Sequence, residues 1–125
     1  MNTYHIKVVY CKAQTTDDLD IECADKMLQG YIPLNGSTFG KDPDIQLDIF
    51  YQTMVKELIL DENITIVSVK NITAKTSVEL ETLVNIHLDN NTARCMGSAY
   101  IANGKWIQTI SNLKSHMSNI TKRSL

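Results

Sequence analysis

The chain has 125 residues, 43% hydrophobic and 21% charged, with 12 basic and 14 acidic side chains and a net charge of −2. That length fits one domain of ordinary globular composition. The interspersed charges exclude a broad basic field for duplex nucleic acid and any acidic run that mimics it. Met1 to Tyr10 carries no basic region, long apolar run or small-residue cleavage site, and no stretch reaches the ~18 apolar residues of a membrane span. The expected setting is the cytoplasm, with no membrane partner. Cys11, Cys23 and Cys95 are odd in number and widely spaced, which suits reduced packing thiols better than disulfides. The triplets Asn63-Ile64-Thr65 and Asn119-Ile120-Thr121 then read as chance, because glycosylation needs a secretory route.

In chain order, Tyr4 to Cys11 is rich in β-branched and aromatic residues and predicts a strand. Thr15 or Thr16 caps a helix with Asp17 and Asp18 in its first turn, Ile21, Ala24 and Leu28 as its apolar face and Gly30 at its end. Tyr31 to Leu34 follows as a short strand, placed at an edge or bulge because Pro33 cannot donate to a ladder. Asn35 to Asp44 is dense in turn formers and predicts a hairpin loop. Ile45, Leu47 and Ile49 alternate beyond it, and Phe50 to Lys56 continues as a strand. Residues 1–60 thus predict a β-α-β-β unit.

The order of strand, helix, Gly30-Tyr31-Ile32-Pro33-Leu34-Asn35-Gly36, turn and Tyr51-Gln52-Thr53-Met54-Val55-Lys56 resembles a small bacterial and phage domain-of-unknown-function family, over roughly residues 1–57. Tyr31 departs from the tryptophan usual in that family, and Asn35 precedes a single glycine. The resemblance implies a fold and a phage or bacterial setting, hence a host-cell cytoplasm, and no assigned chemistry.

In the second half, Ile64, Ile66, Val67 and Val69 predict a strand. Val78, Leu80, Thr82, Val84, Ile86 and Leu88 alternate, so a long strand is expected over a helix capped near Ser77. Asp89-Asn90-Asn91 reads as a turn, Thr92 to Ile101 as a strand and Ala102-Asn103-Gly104 as a break. From Trp106, the spacing of Ile107, Ile110, Leu113, Met117 and Ile120 predicts an amphipathic helix, with Lys122 and Arg123 suited to its C-terminal dipole. Residues 61–125 thus predict a β-β-β-α unit, weakly similar in order to regulatory units of some biosynthetic enzymes, which assigns no function. The expected fold is α+β, one antiparallel sheet with two helices on one face and an edge strand free for self-association.

His5, His87, His116 and the cysteines lack metal-ligand spacing, so no metal and no cofactor is expected. Glu79 and Glu81, two apart on the expected strand, share a face and are candidates for an acid/base pair, although solvated carboxylates are commoner there. Ser37, Thr38 and Lys41, with Gly36 and Gly40, form a loop able to bring backbone N–H groups to an anion, or an ordinary turn. Arg94, Tyr100, Lys105 and Trp106 combine a guanidinium, an ammonium and aromatic rings that suit a phosphate and a nucleobase. The competing reading makes Trp106 a core anchor and Arg94 a solvated residue. Together these features lead to a non-enzymatic phage accessory protein of counter-defence type, a homo-oligomer sequestering a small anionic or nucleotide-like ligand. The alternative is an inhibitor or adaptor that binds a host protein. A small hydrolase or isomerase would need a convergent acid, base or nucleophile that these residues do not assemble.

Overall fold

The computed structural model describes residues 3–59 and 63–115. Strand β1 (Thr3–Ala13) leads into helix α1 (Thr16–Leu28), where the extended Thr15 accepts the Asp18 N–H at 3.1 Å on its Oγ1. Leu19 is the buried anchor of α1, with Cys23 half-buried one turn later. The expected core face of Ile21, Ala24 and Leu28 is exposed instead. At about 100° per residue, Ile21 lies on the far side of the helix from Leu19 and Cys23, so only one of the two apolar rows can face the sheet. Gly30 adopts φ 96°, turning the chain into β2 (Ile32–Pro33), which lies at a sheet edge. The expected loop contains a strand, β3 (Thr38–Asp42), and a tight turn closed by the Gln46 N–H on the Asp42 carbonyl at 2.8 Å. One long strand, β4 (Leu47–Ile59), completes a β-α-β-β-β unit in which β1 pairs along one edge of β4 and β2 and β3 share the other.

The second half corrects the β-β-β-α expectation. It runs β5 (Ile64–Ala74), α2 (Ser77–Asn90), β6 (Ala93–Cys95), β7 (Tyr100–Ala102) and β8 (Lys105–Ser115). The supposed long strand at 78–88 is α2. Within its period-two pattern sits a second series, Leu80, Val84 and Leu88, four apart; these three are fully buried while Val78 and Ile86 are exposed. Thr76 caps it, accepting the Glu79 N–H at 3.0 Å. The supposed helix from Trp106 is β8, whose Trp106, Gln108 and Ile110 alternate inward and which pairs with β5 from Ala74 back to Ile64. Ile107 falls on the opposite face of that strand, so its spacing to Ile110 carried no helical meaning. His116, Met117, Ile120, Lys122 and Arg123 lie outside the described residues. The protein is α+β, with two antiparallel four-stranded sheets rather than one; α1 packs on β1 and β4, and α2 packs on both β1 and the second sheet.

The two halves follow the same path. Register shifts place a bulge at Ile6 in β1 and at Val67 in β5. Thr15 and Thr76 cap their helices at the same φ −126° and ψ 155°. After the third element of each half, Asn35 (φ 61°) and Gly97 (φ 84°) occupy matching left-handed turns. Gln52 and Gln108 lock those turns alike. The Gln52 Nε2 donates to the carbonyls of Asn35 (3.0 Å) and Thr53 (2.9 Å), and the Gln108 Nε2 to those of Gly97 (2.9 Å) and Thr109 (3.1 Å). The Thr53 and Thr109 carbonyls in turn accept the N–H groups of Leu34 and Met96, each at 2.9 Å. The fold is an internal repeat of one β-α-β-β-β unit.

The repeats stack head to tail. On one face of the first sheet, Val9, Cys11 and Met54 meet Leu19 and Tyr31. On its other face, Val8, Tyr10, Ile49, Tyr51 and Val55 meet Leu80, Val84, Leu88, Trp106 and Ile110 of the second repeat, which is the main core. The outer edge of β1 is closed by side chains from the second repeat. Asn85 clamps Val8, Oδ1 accepting its N–H at 2.8 Å and Nδ2 donating to its carbonyl at 3.0 Å, while Glu81 accepts the Tyr10 N–H at 3.2 Å. Among the described residues no helix is long and apolar enough to cross a membrane.

Candidate ligand cleft

The β3–β4 and β7–β8 hairpins, one from each repeat, flank a cleft of about 380 Å³ lined by Phe39, Lys41, Tyr51, Ile101, Asn103 and Gly104 among others. Its walls follow from local sequence. Asn103 (φ 53°) and Gly104 (φ 71°) form the two-residue left-handed turn that an Asn-Gly pair adopts most readily, and Gln46 (φ 58°) ends the opposite turn. Gly40 sits over Tyr51 and Ile101, where an added Cβ would lie 3.7 Å from the Tyr51 ring, an ordinary contact that would take up space inside the cleft. Phe39 and Lys41 are two apart on β3, both exposed, and therefore project on the same side. Phe50 supports the Phe39 ring at a centroid distance of 4.8 Å.

Directly beneath, Asp42 is fully buried and fully partnered. It accepts Lys12 Nζ at 2.7 Å, the Asp44 N–H at 2.9 Å and Trp106 Nε1 at 3.3 Å. Burial works to raise its pKa, but these donors and the Lys12 charge outweigh it, and the carboxyl is held below its ordinary range. Asp42 therefore acts as an anionic strut that aligns β3 with the Trp106 ring. Burial raises the Tyr51 phenol, with a backbone hydrogen bond from Ile101 acting the other way.

The candidate residues from the sequence do not converge on one place. Lys41 lines the cleft. Ser37 is exposed, and Thr38 is half-buried opposite Tyr51 in the β3–β4 ladder. Lys105 lines a separate hollow of about 190 Å³ with Thr73, Lys75 and Glu79. Tyr100 is exposed at the start of β7. Arg94 is half-buried and its Nη1 donates to the Thr3 carbonyl at 3.3 Å, tying β6 to β1. Trp106 is wholly buried, edge-on to Tyr51 at 4.9 Å, so the ring presents no face to a ligand in this arrangement. Glu79 and Glu81, on a helix rather than a strand, point in widely different directions, and Glu81 is engaged with Tyr10.

Cys11, Cys95 and His5 are held in their neutral forms by burial. Burial pushes the Cys11 thiol up to about 12, with Cys23 and Glu22 adding to it, and burial alone does the same to Cys95. His5 is buried, its Nδ1 accepting the Cys95 N–H at 2.9 Å. Burial and then the Arg94 charge lower its pKa to about 4. His87 Nε2 faces Asn112 Oδ1 at 2.7 Å. Among the described residues no cluster of His, Cys, Asp or Glu could hold a metal ion. The sequence pointed to Lys41, yet passed over Phe39 and Tyr51. The Asn103-Gly104 dipeptide that builds the far wall was legible only as a break. No family model matches the chain, and no match was found among curated proteins or solved structures.

Proposed function

We propose that the chain is a non-enzymatic binding protein that takes a small anionic, nucleotide-like ligand in the cleft between the two hairpins. The observation that carries this reading is the meeting at this cleft of Lys41 and Phe39, on the Phe50 side of β3, with Tyr51 and Ile101 on its other side. It sets an ammonium for a phosphate beside aromatic and apolar walls for a base. The cleft volume of about 380 Å³ falls in the range of small-ligand sites, ~300–1,000 Å³. The described residues that line the cleft include no cysteine, histidine or carboxylate, which favours retention of a ligand over its conversion. With the phage-family resemblance, the biological form of this reading is sequestration of a nucleotide signal used in host defence. The alternative of a host-protein inhibitor draws on exposed apolar surface away from the cleft.

Native mass spectrometry of gently purified protein, followed by calorimetric titration with adenosine diphosphate and an adenine dinucleotide, tests the proposal. Retained mass of nucleotide class is expected, with unaltered ligand recovered after incubation. Phe39→Ala and Lys41→Ala should each weaken binding about tenfold, a loss of ~1.4 kcal/mol. Chemical conversion of the ligand, or affinity indifferent to both substitutions, would overturn it.

A further inference from the structure

The internal repeat leaves each end of the stack with the half of a joint that the middle has already completed. In the middle, β1 is covered by α2. Val8 is 0% exposed and its backbone is clamped by Asn85. Its counterpart in the second repeat, Val69 on β5, is 57% exposed, and Ile66, Val67, Ser68 and Lys70 around it are exposed as well. At the opposite end α1, the counterpart of α2, presents Ile21 (69% exposed), Met27 and Leu28 (89% exposed) outward. The row on α2 that closes β1 starts at Glu81 and continues to Asn85. The matching row on α1 is Asp20, Ala24 and Leu28.

We infer that a second copy of this chain covers β5 with its α1, repeating between molecules the joint made inside each one. Charge favours that occupant. α1 carries Asp17, Asp18, Asp20, Glu22 and Asp25 against Lys26, whereas β5 and β8 carry Lys70, Lys105 and Lys114 and no carboxylate. In this joint Asp20 takes the place of Glu81 and accepts a β5 backbone N–H, and Ala24 takes the place of Asn85 over Val69. Ile21 and Leu28, whose counterparts Thr82 and Asp89 stay exposed beside the internal joint, border the contact. Ala24 cannot replace the Asn85 clamp, so the contact between copies relies more on charge than the internal one. The joint is heterologous, α1 of one copy on β5 of the next, and therefore propagates until a ring closes. It rests on the packing of the repeats and not on the ligand reading.

Sedimentation of the full chain across a concentration series, together with two variants, tests it. Asp20→Lys with Ala24→Lys spoils the helix side, and Val69→Asp spoils the strand side. All three positions are exposed, and circular dichroism verifies that the folds persist. Wild type is expected to associate, more weakly as salt rises, and each variant alone to be monomeric. Mixed in equal amounts, the variants should form a two-chain complex and stop there, since the mixture retains one intact pair of surfaces. A monomeric wild type, a variant that still self-associates, or a mixture that stays monomeric overturns the inference. Nucleotide titration of the monomeric variants separates the two proposals. Binding by a monomeric wild type would sink this joint alone, and an oligomer indifferent to nucleotide would sink the cleft alone.

Discussion

β1 and β5 are the same strand in two settings. Each carries a bulge at the matching position, pairs with the last strand of its repeat and leads into a Thr-capped helix. Yet β1 is largely buried on both faces, whereas β5 is exposed along most of its length. The path of the chain is therefore set within a repeat, and the burial of a strand is set by what stacks on it. The helices show the same divergence. α2 buries Leu80, Val84 and Leu88 and reaches across to β1, while α1 buries Leu19 and leaves its second apolar row outside. Equivalent positions should then differ in energetic weight wherever their surroundings differ, and agree wherever the contact lies inside the repeat.

The largest difference should appear at Trp106 and its counterpart Phe50. Trp106 is wholly buried between Tyr51 and Asp42 in the main core, and Trp106→Ala should cost about 3–5 kcal/mol in urea unfolding. Phe50 is half-buried against Phe39, and Phe50→Ala should cost about half as much. Equal losses would mean that the two repeats share the core evenly, contrary to the burial pattern.

Next comes acid. His5 joins β1 to β6, whereas its counterpart Ile66 is an exposed apolar side chain that can make no such hydrogen bond. Folded His5 stays neutral down to about pH 4, while an unfolded histidine takes a proton near 6.5. The unfolded state therefore binds more protons below 6.5. The contribution of His5 is complete above that pH and falls by about 1.4 kcal/mol per unit towards pH 4. Urea unfolding of wild type and His5→Gln at pH 7, 6 and 5 should show this slope in wild type and lack it in the variant. Parallel slopes would place the acid sensitivity elsewhere.

Inside the repeat, by contrast, Gln52→Leu and Gln108→Leu should each cost about 1–3 kcal/mol, because each removes the side-chain donor to the carbonyl of a left-handed turn, that of Asn35 or of Gly97. The Gln108 change should be the costlier, since Tyr10 Oη also donates to its Oε1 at 2.9 Å. Urea midpoints at constant slope would read both.

Much of the first half was legible because its local cues agree: the β-branched run of β1, the Thr15 cap and the edge-strand proline all specify what formed. The second half misled where two periods coexist in one segment. In α2 the series Leu80, Val84, Leu88 satisfies a spacing of two and of four, and the choice is made by the sheet onto which those residues pack. In β8, Ile107 and Ile110 imitate a helix although they lie on different faces. The repeat itself left faint traces in Gln52-Thr53 against Gln108-Thr109 and in Leu19 against Leu80. It was blurred because α2 is one residue longer than α1, 14 against 13, and the second hairpin turn is shorter. The cleft was half legible. Lys41 stands in a visibly unusual loop, whereas its partners come from a hairpin of the other repeat, and no local pattern reports that meeting.

The smallest expected effect examines whether the matching turns touch. Asn35 and Gly97 are equivalent and also neighbours, for a Cβ added at Gly97 would meet Asn35 Nδ2 at 3.2 Å. Gly97→Ala should cost about 1–2 kcal/mol, chiefly from placing an alanine at a left-handed φ, with a smaller part from that contact. Asn35→Gly alone should change stability by only a few tenths of a kcal/mol, since both residues tolerate the conformation. It also removes the amide that Gly97→Ala strikes. The double variant should therefore be more stable than the sum of the single changes by about 0.5 kcal/mol, a coupling that a thermal-unfolding cycle resolves. Strict additivity would mean that the amide swings clear and that the two turns, though alike, are energetically independent.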